Sequence, residues 1–490
     1  MVFNSLAFIM FFPIVVLVYY VLPCRIRYIW LLMASYFFYM QWNAIYGLLL
    51  LYSTATAYAG GRMLDRLGAS KSRKLCLGIC MVLSFAPLIY FKYTGFILTN
   101  INNAFISAGY FGLFNVPDIL LPIGISFFTF QAAGYVIDVY RGTVESERNF
   151  LRFALFVSFF PQLVAGPIER TKNLLSQLDC NVRFDFIKAR DGLWLMLWGY
   201  VMKVVIADRI AIFVDFVYDD YTSYGGAYMI IASMLFAMQI YCDFAGYSTI
   251  AIGASQILGI RLMDNFSSPY LSESVTEFWR RWHISLTSWF KDYLYIPLGG
   301  NRKGKIREYI NKILVFTISG LWHGAEWSFA VWGGVNGLWL VLEDLLKPIG
   351  NRMAGIVRFN GSAVSNKIVR GIFAFILVDF TWIFFRAKTM SDAVAIINNI
   401  AHTSNWNILF DGSLYECGLD AKNFHLLMLM IAVLLFADLL SKKGIAIRKV
   451  FAGQNLWFRS LITAFAIAFI LLFGIWGGTY NAEAFIYFRF

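Results

Sequence analysis

The sequence predicts an all-α membrane protein, with about eleven to thirteen transmembrane or partly embedded helices around a central channel. Of its 490 residues, 59% are hydrophobic and only 14% are charged. This composition excludes an ordinary soluble enzyme, a disordered chain and a collagen-like repeat. Uncharged runs near the roughly 20 residues that a helix needs to cross a bilayer follow one another along the chain.

The first two apolar segments predict the orientation. Residues 1–24 are uncharged and indicate a spanning helix, because a signal peptide would have Lys or Arg before its apolar stretch. Residues 28–61 are also uncharged and predict a hairpin of two short helices, with its turn at 41–43. The loops on both sides of this hairpin are basic, which places them in the cytoplasm. We therefore expect the N-terminus outside and, from the basic residues before the last apolar run, the C-terminus outside as well.

We expect one membrane domain over 1–490, with N-terminal helices in 1–150, the two histidine motifs in a core at 151–345, and C-terminal helices in 346–490. The net charge of +12 would suggest nucleic acid in a soluble protein. Here the basic residues lie in short loops between apolar runs, so the expected partner is the lipid bilayer and no nucleic acid.

Several kinds of chemistry lack their sequence signals. The six cysteines are scattered, and Cys76 and Cys80, four residues apart, have no His or acidic partner nearby, so we expect packing roles and no metal site. The chain has no Walker-type phosphate loop, no GxSxG turn, no HExxH motif and no regular ladder of basic residues like that of a voltage sensor.

Two Gly-Pro segments, at 122–124 and 160–167, interrupt apolar sequence. Non-helical backbone within a membrane is tolerated only where protein or a water-filled cavity covers it. We therefore expect an internal cavity; simple kinks in packed helices are the alternative.

The first of two unusual histidines is His283. Apolar residues recur at steps of three and four from Trp279 to Tyr293, which predicts one amphipathic helix at the membrane surface. His283 would lie on or beside its apolar face, while Arg281 and Lys291 would point elsewhere. A plain interfacial anchor is the alternative.

The second is His323, in the apolar stretch 319–327. An ionisable group at such depth is costly and usually faces an internal cavity. Glu326, three residues later, would share its helix face and either orient the ring or raise its basicity. A structural histidine bonded to a backbone carbonyl is the alternative. His402 and His425 have no comparable setting, and we propose no catalytic role for them.

Between the two histidines, residues 296–307 form a glycine turn followed by a basic run. Together with Arg281, the residues Asn301, Arg302 and Lys303 are candidates for holding the phosphates of an anionic acyl donor. The same run is equally suited to anionic lipid headgroups.

Two segments closely resemble the signature of membrane-bound O-acyltransferases: Phe278-Trp-Arg-Arg-Trp-His283-Ile-Ser-Leu and residues 292–302. The resemblance is to the bacterial branch of this family, which contains proteins of alginate O-acetylation and of teichoic acid D-alanylation. Gly320-Leu-Trp-His323-Gly-Ala resembles the second histidine motif of that family. Similarity continues at 161–170, 241–248 and 485–490. Glu326 departs from the family pattern, where a small or amide residue is commoner, and so does Asn336, where alginate-type proteins often have histidine. These departures weaken any assignment of the polymer.

The resemblance implies an O-acyltransferase in the bacterial cytoplasmic (inner) membrane, with His323 as general base and His283 lining the donor-side entrance or polarising the thioester. Imidazole, with a reference pKa near 6.5, can accept a proton at neutral pH. We expect Trp322, Asp243 and Glu326 to line the channel.

The resemblance also implies that the donor is a cytoplasmic thioester, acetyl-CoA, with no bound cofactor. The acetyl group would cross the protein to an extracytoplasmic esterase-like acetyltransferase, which works with a polysaccharide synthase complex. Two alternatives stay open: D-alanyl transfer from a carrier protein to teichoic acid, and a non-enzymatic transporter in which the histidines relay protons.

Overall fold

A computed structural model describes residues 1–68, 71–178, 182–356 and 363–476, and these residues contain helices and no strand. This confirms the predicted all-α class. The α-helices before residue 200 are α1 (Leu6–Val21), α2 (Cys24–Met40), α3 (Ala44–Arg66), α4 (Lys71–Leu88), α5 (Thr94–Ser107), α6 (Ile125–Tyr140), α7 (Phe150–Ser158), α8 (Phe160–Leu163), α9 (Thr171–Gln177) and α10 (Phe186–Tyr200).

The later α-helices hold both histidine motifs. They are α11 (Asp208–Asp219), α12 (Gly226–Ile257), α13 (Val275–Arg281), α14 (Ile284–Phe290), α15 (Lys305–His323), α16 (Trp327–Ile356), α17 (Val364–Arg386), α18 (Met390–His402), α19 (Ala421–Lys442), α20 (Ile447–Ala452) and α21 (Leu456–Phe473). Short π-helical segments continue three of the helices, at Ile89–Tyr93, Val201–Ala207 and Lys291–Tyr295. The similarity at 485–490 and Cys180 lie outside the described residues.

Six helical segments of the described chain are long and apolar enough to cross a bilayer, which supports a multi-pass membrane protein. The predicted total of eleven to thirteen also includes shorter helices such as α1, whose place in the membrane stays a prediction, as does the orientation of both termini. The six segments are Lys71–Ser107, Gly226–Ile257, Trp327–Ile349, Val364–Arg386, Ala421–Lys442 and Leu456–Phe473.

The predicted N-terminal hairpin is confirmed. α2 ends at Met40 and α3 begins at Ala44, so the turn occupies 41–43 as expected. The Asn43 side chain accepts a hydrogen bond from the Ile45 backbone N at 3.0 Å, which satisfies one of the donors left open at the start of a helix.

The chain divides into two compact units. The first contains Met1–Met196 and Ser248–Met263, and the second contains Leu197–Tyr247 and Asp264–Phe490. These units follow spatial contacts rather than position along the chain, so they differ from the sections 1–150, 151–345 and 346–490. The single membrane domain stays a prediction.

In the first unit, packed protein surrounds the Gly-Pro segments. Gly124 adopts a positive φ of 76° before α6, and a Cβ there would lie 2.8 Å from the Leu163 carbonyl oxygen. The Tyr39 hydroxyl donates to the Ile123 carbonyl at 2.9 Å. The polar groups of the non-helical backbone here therefore find partners in neighbouring parts of the protein.

In the second unit, α15 and α16 form a tightly packed pair. A Cβ on Gly320 would lie 2.1 Å from the Phe329 carbonyl oxygen, and one on Gly333 would lie 2.1 Å from the Phe316 carbonyl oxygen. Glycine at both positions therefore lets the two backbones approach closely, as small residues do between membrane helices. Because α15 ends at His323, this contact also positions the second histidine.

The structure corrects two local expectations. The amphipathic segment is not one surface helix: α13 ends at Arg281 and α14 begins at Ile284, with Trp282 and His283 buried at the break. Glu326 does not share a helix face with His323, because Gly324 has extended backbone (φ −150°, ψ 142°) and α16 begins only at Trp327.

We predict that Gly333→Ala destabilises the protein by roughly 1–3 kcal/mol, because the added methyl meets backbone that cannot rotate away. Gly334→Ala is the matched control, since the nearest atom to a Cβ there is the Thr317 hydroxyl at 3.5 Å. Thermal unfolding in detergent measures both. Equal melting temperatures for the two variants would contradict this account of the helix contact.

Candidate active site

A cavity of about 170 Å³ in the second unit brings the two predicted histidines together. His283 and His323 both line it, and their ring centroids are 6.5 Å apart. The two motifs, separated in sequence, therefore face one space. The other lining residues are Trp279, Trp282, Leu286, Thr287, Phe290, Lys291, Tyr295, Lys312, Val315, Phe316 and Ser319.

His283 occupies the break between α13 and α14. Its φ of 43° is in the left-handed region, which is strained for a residue other than glycine. The side chain is nearly fully buried, with the residue 1% exposed, and the Phe244 ring meets the imidazole edge to face at 4.6 Å between centroids. Asn265 Oδ1 lies 3.4 Å from His283 Nδ1.

Burial lowers the pKa of His283 from 6.5 to about 3. The imidazole is therefore neutral at neutral pH. A neutral ring can accept one hydrogen bond and donate one, and it costs less to bury than an imidazolium.

His323 is the last residue of α15 and is enclosed by aromatic rings. The centroids of Trp322, Trp332 and Phe385 lie 4.9, 5.2 and 5.5 Å from its own. The centroid of Trp322 also lies 6.4 Å from that of the His283 ring. With these rings around it His323 is only 5% exposed, and the apolar surroundings lower the local dielectric.

The other lining groups include two lysines. Lys312 is paired with Glu308 at 2.9 Å and with Asp344, so carboxylates balance its charge. Lys291 is exposed at the start of the π-helical segment that follows α14. The cavity thus combines an aromatic region around the imidazoles with a basic, partly solvated region.

None of the four predicted donor-binding residues is among those that line the cavity. Asn301, Arg302 and Lys303 are exposed in the turn before α15, and the Asn311 amide attaches that turn to α15 by donating to the Gly300 carbonyl at 3.0 Å. Arg281 instead pairs with Glu277 at 2.7 Å. It does not line the cavity, and its role in donor binding stays a prediction.

The three residues predicted to line the channel have different surroundings. Trp322 contacts both imidazoles. Asp243 is buried and its carboxylate lies 2.6 Å from the Lys203 ammonium, which also contacts Asp208 at 2.7 Å. Glu326 is exposed between α15 and α16. None of these three residues is among those that line the cavity of the histidines, and their place along a channel stays a prediction.

Sequence reasoning missed three residues of this site. Lys291 was grouped with the polar face of a continuous helix, and Lys312 is in a stretch without a distinctive motif. Asn265 precedes the histidine motif with no spacing signal at all. Within the described ranges, no group of three or more His, Cys, Asp or Glu side chains is arranged to hold a metal ion.

The helical fold supports a multi-pass membrane protein, and two imidazoles line one partly open cavity within it. Residues 144–385 match the model of the membrane-bound O-acyltransferase family. The chain belongs to this family and is an acyltransferase.

Three relatives show how far the similarity extends. A probable alginate O-acetylase, AlgI, of Azotobacter vinelandii is 38% identical over 445 residues, covering 89% of this chain and 83% of the relative. A peptidoglycan O-acetyltransferase of Helicobacter pylori is 34% identical over 82% of this chain and 80% of its own. A teichoic acid D-alanyltransferase of Streptococcus thermophilus is 31% identical over 45% of this chain and 56% of its own.

The low pKa of His283 predicts a pH-dependent stability. Below about 6.5 the unfolded chain binds a proton at His283 that the folded protein excludes, so stability falls between pH 6.5 and about 3 by up to roughly 1.4 kcal/mol per pH unit. His283→Asn removes this contribution, and Asn tolerates the left-handed backbone. Melting temperatures measured from pH 7 to pH 4 should fall more steeply for the wild type than for the variant; parallel curves would refute the burial effect.

Proposed function

We propose that the protein transfers an acetyl group from acetyl-CoA, at the cytoplasmic face of the bacterial inner membrane, to an acceptor hydroxyl of an O-acetylation pathway outside. The observation that carries this proposal is the shared cavity of His283 and His323. In the reaction, the acceptor oxygen forms a bond to the thioester carbonyl carbon, the C–S bond breaks, and the hydroxyl proton finally resides on the released thiol.

His323 acts as the general base in this proposal. An acceptor hydroxyl is a poor nucleophile until a base removes its proton as the new bond forms. His323 lines the cavity at the end of a helix whose contact with α16 allows little movement. A base that is fixed in place in this way avoids part of the entropy cost of the reaction.

His283 lines the donor side, and its hydrogen bond favours this role over polarising the thioester carbonyl. Its Nδ1 faces the Asn265 oxygen, which can only accept a hydrogen bond. The ring proton of the neutral imidazole is therefore on Nδ1, and Nε2 keeps its lone pair. In this tautomer Nε2 accepts hydrogen bonds and cannot donate one to a carbonyl.

Lys291 is suited to the phosphates of the donor, and Arg302 and Lys303, in the exposed turn before α15, add positive charge to this part of the chain. Lys291 lines the cavity and is exposed, so its ammonium is accessible to an anion from solution. A CoA thioester carries phosphates at one end and its acyl group at the other. This polarity agrees with a cavity that has lysines at one region and imidazoles at another.

In this proposal, partner proteins carry out the transfer to the final acceptor. They are an extracytoplasmic esterase-like acetyltransferase and a polysaccharide synthase complex. The similarity to the alginate O-acetylase extends over 89% of the chain, whereas that to the teichoic acid D-alanyltransferase extends over 45%. This difference supports acetyl transfer over D-alanyl transfer from a carrier protein.

We predict that His323→Ala lowers turnover by roughly 10²–10⁴-fold, the usual effect of removing a general base. The purified protein is reconstituted in vesicles with radiolabelled acetyl-CoA, and CoA release and label movement are followed together. His402→Ala, at an exposed histidine, is the control. Undiminished turnover in His323→Ala would remove this residue from the mechanism, and label movement without CoA release would instead indicate a transporter.

We predict that Lys291→Ala raises KM for acetyl-CoA by about 5–10-fold, equivalent to losing about 1–1.4 kcal/mol of binding, with kcat nearly unchanged. Lys388→Ala is the control, because this lysine is also exposed but pairs with Asp219 at 2.8 Å away from the cavity lining. Steady-state kinetics over a range of donor concentrations measures both. An unchanged KM in Lys291→Ala would contradict donor binding at this lysine.

A further inference from the structure

We infer that Asn265 is a positioning residue that holds the His283 ring in one orientation and one tautomer. The inference deepens the proposed function and rests on the role of His283 there. Asn265 is 1% exposed and lies eighteen positions before His283 in the chain. It contacts the break between α13 and α14 through both its backbone and its side chain.

Three hydrogen bonds connect Asn265 to the two residues that follow His283. The Ile284 backbone N donates to the Asn265 backbone carbonyl at 2.9 Å. The Asn265 Oδ1 accepts from the Ser285 hydroxyl at 2.6 Å and from the Ser285 backbone N at 3.4 Å. These bonds hold the chain where His283 has its strained φ of 43°. Such strain, of about 1–3 kcal/mol, persists only where surrounding contacts determine the conformation.

The same oxygen determines the tautomer. A backbone N–H can only donate, so the Asn265 atom that faces Ser285 N is the oxygen and not the amide nitrogen. His283 Nδ1, 3.4 Å from this oxygen, must then be the protonated nitrogen. Asn265 thereby keeps Nε2 as the acceptor, in the way that a hydrogen-bonding neighbour orients a metal-bound or catalytic histidine.

Aromatic rings and the second histidine also lie near the imidazole. The Phe244 ring meets it edge to face at 4.6 Å between centroids, and the Trp322 ring is tilted at 6.4 Å. The His323 ring lies at 6.5 Å. To these ring contacts Asn265 adds a hydrogen-bond acceptor at Nδ1, and this acceptor favours one tautomer.

The test compares the full-length protein with Asn265→Ala in the reconstituted acetyl-CoA assay. Loss of the oxygen lets the ring change tautomer and alters the Nε2 acceptor on the donor side, so kcat/KM for acetyl-CoA should fall by roughly 10–100-fold, as for other residues that orient a functional histidine. Asn399→Ala is the control: this asparagine also connects two segments, its amide donating to the Tyr224 carbonyl at 2.6 Å, but it does not line the cavity. A kcat/KM within about twofold of wild type for Asn265→Ala would overturn the inference.

A double-mutant cycle separates positioning from simple loss of structure. In a His283→Asn background, adding Asn265→Ala should lower kcat/KM by less than about twofold, because the ring that Asn265 orients is already absent. If Asn265→Ala lowers kcat/KM by the same factor in this background as in the wild type, Asn265 acts independently of His283 and the inference fails. If His283→Asn alone retains full turnover, the proposed role of His283 fails; if it is impaired while Asn265→Ala is not, only the present inference fails.

Asn265→Asp provides a readout that does not depend on the alanine variant folding. A carboxylate at this position keeps an oxygen acceptor for Ser285 and for His283 Nδ1, but its charge stabilises the imidazolium. The pKa of His283 should therefore rise toward 6.5, and melting temperatures should fall less steeply from pH 7 to pH 4 for Asn265→Asp than for the wild type. A slope equal to that of the wild type would overturn the contact between Asn265 and the His283 imidazole.

Discussion

The left-handed turn at His283 is the constraint on which the site depends. If α13 continued without a break, His283 would follow the helical periodicity and lie beside an apolar surface. Instead the chain changes direction after Trp282, and Asn265 holds the new direction through hydrogen bonds to Ile284 and Ser285. The imidazole is thereby placed on the same cavity as His323. A locally unfavourable backbone conformation is offset by burial and hydrogen bonding of the surrounding residues.

Aromatic packing explains how two imidazoles can remain in the interior of a membrane protein. Trp322, Trp332, Phe385 and Phe244 contact the rings with their faces and edges, which replaces water by weakly polar groups. In the proposed reaction, these rings would limit the access of water to an acyl group beside the imidazoles. Charged residues are found in the lysine region of the cavity, where an anionic donor and solvent are accommodated at lower cost.

Much of the fold follows from apolar run length and charge placement, as the hairpin of α2 and α3 illustrates. The two histidines were also predictable, because an ionisable group in apolar sequence is costly without a function. The break at His283 was not, because apolar spacing continues through it and the decisive partner, Asn265, is distant in sequence. Glu326 was misplaced because helical spacing from His323 was assumed to continue past Gly324. The position of His283 depends on tertiary hydrogen bonds, and that of Glu326 depends on where α15 ends. Apolar periodicity reports neither feature.

The most direct measurement is an experimental structure of the protein with a non-hydrolysable thioether analogue of acetyl-CoA. The account predicts the acyl end between the rings of His283 and His323, within hydrogen-bonding reach of at least one of them, and the phosphates near Lys291. An analogue bound with its acyl end away from both imidazoles, or outside the cavity, would contradict it.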